Sequence, residues 1–122
     1  MRRSAVSWTR DAKRWRGKNE RTTPSYRRFQ EGFSPVWEAF DNLGRRCHQA
    51  GPLEAKVRRL VKLGIAIGTG LEGAVHSHTR RALAESITPE ETRHAVLLAM
   101  TTVGFPRTMA ALSWVNDLLE SE

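Results

Sequence analysis

The chain has 122 residues, 39% of them hydrophobic, a formal net charge of +7 and a single cysteine, Cys47. That length suits one domain with one modest core. No apolar run reaches the roughly 20 residues needed to cross a bilayer. The charged N-terminus has no apolar signal segment, and one cysteine rules out an intrachain disulfide or a CxxC pair. Together these features fit a reducing, cytoplasmic setting.

The charge is unevenly spread. Residues 1–30 carry ten Lys or Arg against two acids, whereas residues 31–122 carry ten against eleven. The basicity belongs to an arm and not to the body, which argues much less for nucleic acid than a basic fold surface would. Residues 1–23 show little apolar periodicity. Trp8 and Trp15, set among basic residues, could stack on bases or enter a membrane interface. The composition favours a plain flexible extension, with a helical domain over 24–122.

Pro24 opens a short helical segment with Tyr26, Phe29 and Phe33 as its apolar side. Ser34-Pro35 then reads as an N-cap with proline in the first turn. The predicted helix runs to about Ala50 with Val36, Phe40, Leu43 and Cys47 on one stripe, so Cys47 reads as a packed thiol. Gly51-Pro52 ends it. The next helix, about Leu53 to Gly68, places Val57, Leu60, Val61, Gly64 and Ile65 on one face. The paired glycines suggest a close neighbouring helix or a loosened end near Gly70.

A further helix covers about Leu71 to Glu85. Thr88-Pro89-Glu90-Glu91 predicts a capping box and a restart. Residues 89–103 are apolar on more than one side, as in a helix central to the core or shared with another subunit. Gly104-Phe105-Pro106 breaks it. The last helix, about 106–120, turns Met109 or Ala111, Leu112, Val115, Leu118 and Leu119 inward. No convincing strand appears, and the class is all-α with five to six helices.

Candidate chemistry lies in Leu71–Glu91. His76 and His78 stand about 200° apart around a helix axis and cannot easily share one metal; no other His or Cys has ligand spacing, so no metal or cofactor is expected. His78 continues the line of Leu71, Val75 and Ala82 toward the core or a pocket wall. His76, with Glu72 four before and Arg80 four after, suits a surface ladder. Arg80 and Arg81 read either as holders of a substrate carboxylate or as a solvated face. His94, early in the apolar helix, could face the same space. His48 reads as a charge partner at a helix end.

The run HTRRALAESITPEE at 78–91, followed by an apolar helix and GFP at 104–106, resembles the carboxymuconolactone decarboxylase and AhpD-like alkylhydroperoxidase superfamily. KVRRLVKLGIAIG at 56–68 resembles the helix that precedes that motif, and the resemblance covers about 25–120. It implies an all-helical domain that assembles as a trimer or hexamer, with sites near subunit interfaces. The peroxidase cysteines of that superfamily fall here on Leu71 and Ala74, so the thiolate nucleophile is missing. A glutamate of the preceding helix falls on Arg59, and a second histidine of the decarboxylase branch falls on Ala110. His78 alone matches. The resemblance implies a decarboxylase-like protein acting on or binding a small carboxylated or lactone metabolite. His78 would be its general acid or base, Glu72 a nearby carboxylate, and Arg80, Arg81 and His94 substrate contacts. The alternatives are an AhpD-like protein without thiol peroxidase activity and a nucleic-acid binder using the arm.

Overall fold

The computed structural model describes residues 24–120, so the reading of residues 1–23 as a flexible basic arm lies outside them. The described residues form seven helices and no strand: α1 (Pro24–Gly32), α2 (Ser34–Gln49), α3 (Ala55–Thr69), α4 (Glu72–Ala84), α5 (Pro89–Leu98), α6 (Met100–Val103) and α7 (Phe105–Leu119). The all-α expectation holds. The count exceeds five to six because the predicted 89–103 helix breaks at Ala99 into α5 and α6.

The sequence punctuation explains most of the helix ends. Thr88 Oγ1 accepts from the Glu91 backbone N–H at 3.0 Å, and Glu91 Oε1 accepts from the Thr88 N–H at 3.0 Å, the reciprocal pair of a capping box. Pro89 occupies the first turn, where its missing N–H has no helical partner to lose. α3 stops at Gly70, whose φ of 73° is left-handed, and the N–H groups of Gly70 and Leu71 both reach the Ala66 carbonyl. Arg107 Nη1 adds a bond to the Gly68 carbonyl at 3.0 Å, tying α7 to that same end. Ser34 does not cap α2: Phe33 takes the N-cap position with no side-chain hydrogen bond.

The core lies between α3, α4, α5 and α7. Leu63, Ala66 and Ile67 from α3 meet Val75 from α4, Val96 from α5, and Ala111, Val115 and Leu119 from α7. Ala111, not Met109, is the inward residue of α7, and Met109 is exposed. α3 packs along α4, and α4 also packs on α7, so α4 is held on two sides.

Two expectations about apolar faces are corrected. On α3 the buried line is Arg59, Leu63, Ala66 and Ile67, while Val57, Val61 and Ile65 are exposed. Positions 57 and 59 lie about 200° apart, so the regular apolar stripe read from sequence is the outward one. Gly64 and Gly68 belong to that outward stripe, and a Cβ at either would meet nothing within 4 Å. Among the described residues, no side chain or backbone of another helix lies over the Cβ side of either glycine. On α2, Val36, Phe40 and Leu43 are exposed and Cys47 is exposed with them, so Cys47 is not a packed thiol. α1 and α2 contain no buried residue. They are joined by the Phe29–Phe33 ring contact, with centroids 5.9 Å apart, and by the Trp37 Nε1 bond to the Tyr26 hydroxyl at 3.3 Å.

Candidate functional site

α3 and α4 place three side chains in one hydrogen-bonded chain. Arg59, on the buried line of α3, is 6% exposed. Its Nε donates to Glu85 Oε1 at 3.1 Å and its Nη2 to Glu85 Oε2 at 3.0 Å, a two-point fork on the residue that closes α4. Its Nη1 lies 2.9 Å from Nδ1 of His78. A guanidinium offers only donors, so Nδ1 must accept, and the imidazole is neutral with its proton on Nε2. A charged His78 would set two N–H donors against each other.

The surroundings act in the same direction. His78 is pushed down from 6.5 to about 4, by burial first and then by the charges of Arg59, Lys62, Arg81 and His48. His48 is also held below its ordinary value, by burial and then by Arg59, Lys62 and Arg58. One field of cations therefore spans the end of α2 and the first half of α3. Beside it lies a cavity of about 180 Å³ lined by Cys47, His48, Gly51, Leu53, Arg58, Val61 and Lys62. Its walls combine apolar side chains with three basic ones, a lining that suits an anion with a carbon skeleton. Arg58 is itself fixed by a bond to the Leu53 carbonyl.

Among the residues singled out from sequence, His78 joins the Arg59–Glu85 pair, while His48 and not His78 lines the cavity. Arg81 contributes to the electrostatics of His78. Arg80 is 4% exposed, which removes it from the solvated-face reading. Glu72 is not the carboxylate of the group: it lies with His76 and Asp117, and Glu85 stands beside Arg59 instead. His76 has a partner on another helix: its Nε2 meets Asp117 Oδ2 of α7 at 2.9 Å. His94 is exposed on α5. Arg59 and Glu85 were missed because Arg59 sits in a run of basic residues that reads as a solvated face. The available signal was its register, four residues before Leu63 on the buried line.

A model of the carboxymuconolactone decarboxylase family matches residues 35–117, more than half of the chain. The chain belongs to the carboxymuconolactone decarboxylase family. Searches of curated proteins and of solved structures gave no match. The family match takes in α3, α4 and every member of the Arg59–His78–Glu85 group. At the position where the resembled motif has a glutamate, this chain has the guanidinium that bonds His78.

Proposed function

We propose that this protein binds and acts on a small carboxylated or lactone metabolite at the His78 end of the α3–α4 pair, as a decarboxylase-like lyase that needs no metal for that step. The observation that carries the reading is the Arg59 bond to His78 Nδ1, made within a field of cations beside a partly apolar cavity. Arg58, Lys62 or Arg81 supplies the charge for a substrate carboxylate. Arg80 and His94 were the other candidates for that contact, and the burial of one and the exposure of the other make them weaker ones.

The tautomer narrows the role of His78. With Nδ1 occupied, the imidazole lacks a free lone pair for general-base work. It instead offers Nε2–H as a neutral donor to an oxygen that gains charge. In a decarboxylation, the bond to the departing carboxylate breaks, its electron pair moves into a conjugated carbonyl, and carbon dioxide leaves. The resulting enolate oxygen accepts the Nε2–H bond, and the carbon later takes a proton from solvent. Removing one such donor costs about 10²–10³-fold in rate.

Carboxymuconolactone and related lactone carboxylates are the probes for the test. His78→Ala should abolish turnover with the helices intact by circular dichroism. His78→Gln keeps an acceptor for Arg59 and an N–H donor, and should retain part of the rate. Unchanged turnover in His78→Ala sinks the reading. Equal loss in both variants moves His78 back to acid–base chemistry. The alternative, an AhpD-like protein that has lost its peroxidase activity, is tested by Cys47→Ser. Hydroperoxide reduction with a dithiol donor should stay at background in both forms.

The outward faces support a homo-oligomer, for which the family resemblance implies a trimer or hexamer. Phe40 is 68% exposed and Ile65 60% exposed, and Val36, Leu43, Val57 and Val61 are exposed with them. Covering the exposed part of each such side chain removes apolar surface from water and favours association. A second copy also fits the open space over Gly64 and Gly68, where a helix can approach closely.

A further inference from the structure

A second cluster of ionisable groups lies on another side of α4. Glu72 is the first residue of that helix, His76 follows one turn later, and Asp117 comes from the last part of α7. One ligand atom from each lies within 4.8 Å of the other two, and His76 Nε2 is already 2.9 Å from Asp117 Oδ2. His76 is partly buried, whereas Glu72 and Asp117 are exposed and free to adjust. His76 and His78 diverge by about 200° around the helix, so this cluster is separate from the Arg59–His78 group.

We propose that Glu72, His76 and Asp117 form a binding site for a divalent transition-metal cation of the zinc type, joining α4 to α7. The pair of histidines that attracts attention in the sequence is the wrong set; the ligands of His76 come from one turn back and from another helix. The donor set decides the class of ion. One imidazole nitrogen and two carboxylates suit zinc, cobalt or nickel, whereas calcium and magnesium favour oxygen alone. Ligand atoms held about 2.0–2.2 Å from a tetrahedral zinc stand a little over 3 Å apart. The His76–Asp117 separation is close to that, and rotation of the exposed Glu72 side chain closes the rest. Two carboxylates and a neutral imidazole carry a charge of about −2, which one divalent ion cancels. Three protein ligands leave a further position for water.

The test uses the full chain, stripped with chelator and carrying Cys47→Ser so that the exposed thiol does not compete. Zinc is titrated by calorimetry and cobalt by its visible absorption. One equivalent per chain should bind saturably and raise the thermal midpoint. His76→Ala and Asp117→Asn should each weaken binding at least about tenfold and remove the rise in midpoint. Glu72→Gln, at an exposed first-turn position, should weaken it as well. A Glu90→Gln, His94→Ala double variant removes an exposed carboxylate and an exposed imidazole elsewhere and should bind as the parent does. Absence of saturable binding in the parent overturns the proposal. So does parental affinity in Glu72→Gln together with either of the other two variants.

Discussion

Nη1 of Arg59 donates to Nδ1 of His78 across 2.9 Å, a bond that only the neutral imidazole can accept. Replacing Arg59 with Met keeps a long side chain at the site and removes the donor and its charge. The His78 pKa should then climb from about 4 toward 6.5 without reaching it, because burial is the larger cause and remains. A proton NMR titration of the His78 ring checks this. An unmoved pKa would mean that Arg59 does not control the histidine.

The same shift makes stability depend on pH. The folded-state pKa of His78 lies below its unfolded value, so the folded state resists the proton that the unfolded chain takes up. The contribution of this group is fully present above about pH 6.5. It declines as pH falls from there to about 4. Urea unfolding in the presence of chelator should show this loss in the parent, with a weaker slope across that window in His78→Gln.

At the start of α5, Thr88→Ala removes the side-chain acceptor of the capping box and leaves the Glu91 N–H without it. The expected cost is about 1 kcal/mol in chemical unfolding. Glu91 also accepts from Lys56 Nζ at 2.7 Å, which, with the Thr88 bond, holds its carboxyl below the usual range. That ion pair is exposed, so Lys56→Ala should change stability little, and less still at high salt.

Ile65→Arg places a charge in the middle of the outward α3 stripe. If that stripe is covered by another copy, light scattering should show a smaller species with unchanged helix content. An unchanged mass would place the interface elsewhere. The helices themselves should survive, because Ile65 is 60% exposed within the chain and is not one of the core residues.

Local chemistry made helix ends legible. Thr88, Pro89, Glu91 and Gly104 act within a few residues of themselves, so their roles do not depend on the rest of the fold. Faces were less legible. α3 is apolar on two opposite sides, and periodicity cannot say which of Val61 or Leu63 meets the core of its own chain. The site was half legible. His78 stood out as an inward histidine, but its partner Arg59 lies 19 residues away, and Glu85, which Arg59 also bonds, lies 26 residues from Arg59. Only the packing of α3 on α4 brings them together. Glu72 was drawn to His78 by proximity in sequence, while helical geometry carries it round to His76.

The Arg59 fork also bears on how such a sequence can change by descent. An acidic replacement at position 59, made alone, would bring a carboxylate against Glu85 and leave His78 without its donor. Losing Glu85 first would strand a buried guanidinium without its counter-charge. Each of these two single steps leaves a charge unpaired or opposed. Positions 59, 78 and 85 are therefore coupled through their contacts, and a reversal of charge at 59 or 85 is expected to be tolerated better when the other changes with it.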